Sequence, residues 1–187
     1  MTMRQAIDAV LRHASQALTL TLLVMMLSAG EAAAAPGAGI ALNQTFVDDH
    51  GAVRSLADWR GRPVIIAMAY GACRRVCSTT LRTLEEVQAR ADRQGLQIDV
   101  VVVSIDPSED RPQDWADYRK TRRLTRSNWS FLSGSPEATR VLAAHLGVRF
   151  WRYDEHVMHD FKILRLDPGG AIAATLDWNH REPERLL

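Results

Sequence analysis

Residues 63–77 read Pro63-Val64-Ile65-Ile66-Ala67-Met68-Ala69-Tyr70-Gly71-Ala72-Cys73-Arg74-Arg75-Val76-Cys77. From Pro63 to Tyr70 there is neither charge nor alternation, the pattern of a strand buried on both faces. The chain's 2 cysteines follow at once. Beyond them Leu81, Leu84, Val87 and Ala91 recur at helical spacing with charges between, and Gly95 closes the helix. A buried strand feeding an amphipathic helix predicts an α/β fold with both thiols at the strand-to-helix junction.

Working outward, Leu96 to Ile105 contains the run Val100 to Val103 and predicts a second buried strand, ending at Asp106-Pro107. Trp115 and Tyr118 fall in a short helix after Asp110, and a third strand is expected around Trp129 to Leu132. Ser135-Pro136-Glu137 predicts a helix start, with a capping hydroxyl, Pro in the first turn and an early acid, and that helix ends at Gly147. Phe161 to Leu166 and Ala171 to Leu176 flank the turn Asp167-Pro168-Gly169-Gly170, which predicts a C-terminal β-hairpin. Residues 36–61 read as a loop-rich entry anchored by Phe46, Val53 and Leu56. The expected fold is an α/β sandwich around a central mixed sheet flanked by helices, with no internal repeat and no dividing linker.

With 47% hydrophobic and 24% charged residues, the 187-residue chain has the composition of a globular protein, which excludes disordered and collagen-like classes. A formal net charge of +1 gives no global field to attract nucleic acid. Five cations crowd residues 119–126 (RKTRRLTR), read as a solvated helix end or, secondarily, a docking patch for an acidic partner or anionic membrane surface.

The first 35 residues read as a secretory signal. Arg4, Arg12 and His13 precede an uncharged run of 14 residues, Ala17 to Gly30, followed by the small residues of EAAAAPG. That run is shorter than the ~20 residues a membrane span needs, so cleavage near Ala34 or Ala35 is expected, with an uncleaved anchor as the alternative. Residues 36–187 would then form one exported domain in an oxidising compartment, where a dithiol tends to close.

Four-residue spacing at a helix start puts Cys73 and Cys77 on one face, within reach of each other or of one ion. The helix N-terminus and the cations Arg74 and Arg75 favour thiolate, the form that attacks disulfides and binds metals. A purely structural disulfide would close a very short loop and gain little from it. Thiolates select copper(I), zinc or iron–sulfur clusters, and two sulfurs complete none of these sites, so a third ligand is required elsewhere. Of the 6 histidines, His13 lies in the signal, His50 and His180 in loops, and His145 on the helix after Ser135. His156 and His159 remain, in a segment read as a loop feeding the strand at Phe161. Trp151 and Tyr153 beside it read as packing residues, with a cover that shields a copper(I) ion from water as the alternative.

The segment from Tyr70 to Cys77, the segment Val103-Ser104-Ile105-Asp106-Pro107, and His159 nine residues before Pro168 together resemble the Sco/SenC family. The resemblance spans residues 40–177 and implies a thioredoxin-like fold, a periplasmic or membrane-facing location and a mononuclear copper site of two cysteines and one histidine. It further implies a copper metallochaperone role in assembly of the copper centre of cytochrome c oxidase. Carried over by motif, the ligands are Cys73, Cys77 and His159. His156 does not match the family histidine and is only a substitute or auxiliary candidate, and Asp106 matches an acidic position near the site without a ligand role. The chain departs from the family in carrying Arg74 and Ser78 where Pro follows each cysteine, and Met158 where Asp precedes the histidine.

Two readings of this set stand side by side. One is a copper chaperone without a catalysed reaction, its partners an oxidase subunit or other periplasmic cuproprotein and a copper donor. The other is a thiol–disulfide oxidoreductase acting through Cys73 and Cys77 on copper acceptors or other exported proteins. Redox enzymes of thioredoxin type generally have a C-x-x-C pair faced by a Pro, whereas Trp151 to Phe161 contains no Pro and offers His159 in that place.

Overall fold

The computed structural model describes residues 41–71, 76–154 and 156–187, with the side chains of Val76 and Cys77 left aside. The expected signal at residues 1–35 and the residues Cys73 and Arg74 lie outside the described residues. The elements in chain order are β1 (Phe46–Asp48), β2 (Val53–Arg54), β3 (Val64–Ala69), α1 (Val76–Gln94), β4 (Asp99–Ser104), α2 (Pro112–Arg122), β5 (Trp129–Gly134), α3 (Pro136–Leu146), β6 (Phe150–Tyr153), β7 (His156–His159), β8 (Ile163–Leu166) and β9 (Ile172–Leu176).

Seven strands form one sheet in the order β2-β1-β5-β4-β3-β8-β9, and β6 pairs with β7 in a separate hairpin. β3, β4 and β5 run parallel at the centre. β1 and β8 flank them antiparallel. This is the expected mixed sheet, and its centre follows from sequence. All six side chains of β3 are buried, because a strand flanked by neighbours and covered on both faces has no wet side. The α1 residues Leu84, Val87 and Ala91 are fully buried, and Leu81 nearly so. Gly95, at φ +67°, ends α1, and the Leu96 N–H donates to the Ala91 carbonyl at 2.9 Å. Ser135 Oγ accepts the Ala138 N–H at 3.0 Å and caps α3. The β8–β9 turn forms where expected, with Gly170 at φ +88° and the Gly170 N–H donating to the Asp167 carbonyl at 2.9 Å.

Four expectations are corrected. The entry segment contains two short strands, and β1 extends the sheet against β5. Phe46 and Leu56 are buried anchors, but Val53 is 72% exposed because β2 is an edge strand. The second strand begins at Asp99, not Leu96, which is exposed after the helix cap. Within the cationic run, Arg119 is buried rather than solvated. Its guanidinium donates to Asp49 Oδ2 at 2.6 Å and to the carbonyls of Leu124 and Arg126 at 3.1 and 2.7 Å. It also lies 5.4 Å from the Phe131 ring centre. Asp49 comes from 70 positions earlier, a pairing that no local pattern announces. Lastly, residues 156–159 form a strand, and the Trp151 and Tyr153 opposite are exposed instead of packed.

Candidate metal centre

β3 delivers Tyr70 and Gly71 to the edge of the sheet, and α1 begins at Val76, so the segment bearing Cys73 and Cys77 spans the strand-to-helix junction. What holds the start of this segment is Asp110. Its Oδ1 accepts the Gly71 N–H at 2.9 Å and its Oδ2 accepts the Ser104 hydroxyl at 2.6 Å, while Ser133 Oγ donates to its carbonyl. Ser104 ends β4 and Ser133 lies in β5, so one residue ties together the ends of all three parallel strands. A Cβ at position 71 would sit 3.0 Å from Asp110 Oδ1, which explains the glycine there. Burial pushes the Asp110 carboxyl up to about 6, against the lowering effect of the Ser104 and Gly71 hydrogen bonds, and nearby Asp106 and Asp114 add to the rise.

His159 is 8% exposed, and its ring meets that of Tyr70 edge-on at 6.0 Å. It therefore stands beside the residue from which the cysteine loop departs. Its Nδ1 lies 2.9 Å from the Asp160 carbonyl oxygen. A carbonyl can only accept, so Nδ1 carries the proton and the lone pair of the neutral ring is on Nε2. β7 alternates exposed, buried, exposed, buried from His156 to His159, so His156 lies on the opposite face. Of the two histidines in this segment, His159 is buried against Tyr70 and His156 is turned to solvent.

Asp106 lies in the loop after β4, as the sequence places it, and is buried. Its carboxylate accepts from Ser108 Oγ at 2.8 Å and, with both oxygens at 3.3 Å, from Arg152 on β6. That ion pair fastens the hairpin bearing His159 to the end of the sheet. The other histidines stay outside the site, with His50 and His180 in exposed turns and His145 half-buried on α3. Among the described residues no three His, Cys, Asp or Glu side chains form a metal-holding group. Of the candidate ligands, the described residues show His159 alone with its side chain and supports. Sequence reasoning took Asp110 only as the marker of a helix start. Its position four residues after Asp106 was visible, but its burial and its contact with Gly71 were not.

The SCO1/SenC family model matches residues 33–187. The chain belongs to the SCO1/SenC family. The SCO1 protein homolog of Bacillus subtilis (strain 168) is 22% identical over 90 residues, which cover 48% of this chain and 47% of that protein. The chain thus spans about half the length of this curated relative. The structure of Arabidopsis thaliana ScoI with copper bound superposes with a TM-score of 0.66 at 21% identity, covering 74% of this chain and 88% of that one. BsSco, a member of the Sco family of cytochrome c oxidase assembly proteins in which a disulfide switch is identified, gives a TM-score of 0.63 at 18% identity, covering 71% and 80%. These likenesses show the thioredoxin-like fold of this SCO1/SenC member. Among its described residues no helix is long and apolar enough to cross a membrane.

Proposed function

We propose that the protein is an exported copper metallochaperone that binds copper through Cys73, Cys77 and His159. It would hand the metal to the copper centre of cytochrome c oxidase or to another periplasmic cuproprotein. The observation that carries this reading is His159, buried beside Tyr70 at the origin of the cysteine loop with its Nδ1–H committed to a carbonyl. A histidine ligand is ordinarily oriented by such a hydrogen bond from its other nitrogen. Two thiolates and an imidazole suit copper(I), so the donor set fits this cargo. The remaining residues prepare the donors. The start of α1, with Arg74 and Arg75, lowers the energy of the thiolates. Asp110 fixes Gly71, and the Arg152–Asp106 pair fixes the hairpin. Residues 1–35 would direct export and be removed.

The second reading is thiol–disulfide exchange by the same pair, and Asp110 favours it. A buried carboxyl at about 6 next to the dithiol loop can accept or return a proton near neutral pH. The two roles are compatible, because copper binding requires the reduced dithiol.

One equivalent of copper added to the reduced protein separates them. Stoichiometric retention is expected, with sulfur-to-Cu(II) charge-transfer bands that shift in His159→Ala. Serine at either cysteine should abolish tight binding, and His156→Ala should leave it intact. Copper that is not retained, or retention indifferent to His159, would leave the exchange reading.

A further inference from the structure

The face of the β6–β7 hairpin that turns away from the cysteine loop has a composition of its own. The register sets Trp151 opposite Met158 and Tyr153 opposite His156. Trp151, Tyr153 and Met158 are 51%, 69% and 44% exposed, and His156 is exposed beside them. The other methionine among the described residues, Met68, is buried in β3, so Met158 offers the one described thioether at the surface. Directly paired residues hold their Cβ atoms about 5 Å apart, and the next residue on the same face is about 7 Å along. A thioether, an imidazole and an indole therefore stand on one face of the hairpin, at neighbouring positions.

We propose that this patch is a second, weaker binding site for monovalent copper, with Met158 and His156 as ligands and the Trp151 ring covering the ion. Thioether and imidazole are neutral donors; the thioether selects copper(I) and the imidazole accepts it, while both discriminate against hard divalent ions. An indole face attracts a cation more strongly than other rings. Without a thiolate the site binds less tightly than the dithiol, as suits a point of entry or exit. Local charge permits a cation here. Arg152 is tied to Asp106 and Arg149 to Asp160, and the turn between the strands carries Asp154 and Glu155. The patch backs onto the candidate metal centre, because His159 follows Met158 in the chain and points to the other face. This inference rests on the copper reading and adds a route to it.

The test uses silver(I), a redox-inert stand-in for copper(I), in buffer free of chloride and thiols. In the Cys73→Ser/Cys77→Ser protein, one equivalent should move the Met158 methyl resonance and change tryptophan fluorescence. Met158→Leu and His156→Ala should each weaken that binding by at least about tenfold, the loss that even outer partners of a metal can cause. In the wild type the first equivalent should leave the Met158 methyl in place and the second should move it, an arm that does not depend on the serine variant folding. A Met158 methyl that never moves, or binding unchanged in Met158→Leu, overturns the proposal. A wild type that fails to hold the first equivalent on its cysteines yet binds at Met158 would overturn the chaperone reading and leave this site standing.

Discussion

β3 and β7 both end beside the candidate metal centre, yet they are built on different terms. β3 buries every side chain between two neighbours, and its position depends on apolar area. β7 has one strand partner and buries alternate side chains, Val157 among them, and its hairpin is also fastened to the rest of the domain by polar contacts such as Arg152 of β6 with Asp106. The half of the site on the sheet is therefore expected to be rigid at a high cost to disturb, and the half on the hairpin adjustable at a low one. On the proposed copper reading both are needed, since the donors must close on the ion and later release it.

The largest effect should come from the buried ion pair behind the sheet. In Asp49→Ala, Arg119 keeps its two carbonyl partners but becomes an unpaired buried charge, and the backbone N–H of Phe131 loses its acceptor at 3.0 Å. A loss of about 3–5 kcal/mol is expected in urea unfolding. The corresponding hairpin change, Arg149→Ala, removes a pair in which the arginine side chain is 82% exposed, and should leave the unfolding free energy nearly unchanged. Equal losses would erase the contrast between the two regions.

The next effect is a pH dependence belonging to the sheet half. The Asp110 carboxyl is raised from 3.8 to about 6, so the folded protein holds a proton that the unfolded chain has released over that window. Its contribution to stability is full below pH 3.8 and is lost as pH rises through about 6. The decline amounts to about 3 kcal/mol. Unfolding free energies of wild type and Asp110→Asn, measured between pH 4 and 7, should differ in slope, with the variant flatter. The Asn keeps an acceptor for Gly71, so parallel curves would mean that burial does not set the state of this carboxyl.

The same contrast governs what could be read from the sequence. The centre of the sheet was legible because continuous runs such as Pro63–Tyr70 and Val100–Val103 allow few other placements, and the caps Ser135, Gly95 and Gly147 mark helix ends chemically. The hairpin was not, since in His156-Val157-Met158-His159 the buried residues are Val157 and His159. The inward histidine hides the alternation that would reveal a strand. Asp49, Arg119 and Asp110 were invisible for a related reason, because their roles depend on partners 70, 82 and 39 positions away. His159 itself stands out by its spacing to Pro168 within a family pattern, whereas its burial and its ring contact with Tyr70 depend on a residue 89 positions earlier in the chain.

Arg152→Ala is likewise expected to change stability little, and it bears most directly on function. The arginine side chain is 60% exposed, while its partner Asp106 is 10% exposed. Asp106 keeps its contact with Ser108, so losing the pair should cost under about 1 kcal/mol. The hairpin would nevertheless lose a direct tie to the loop after β4, and with it a support for the placement of His159 against Tyr70. Copper transfer to a competing chelator should then be faster than in the wild type, while Arg149→Ala, also exposed but tied within its own segment to Asp160, should leave the rate unchanged. Equal transfer rates in Arg152→Ala and wild type would show that the core contacts of Val157 and Phe161 alone position the histidine. The adjustable half of the site would then be as rigid as the sheet.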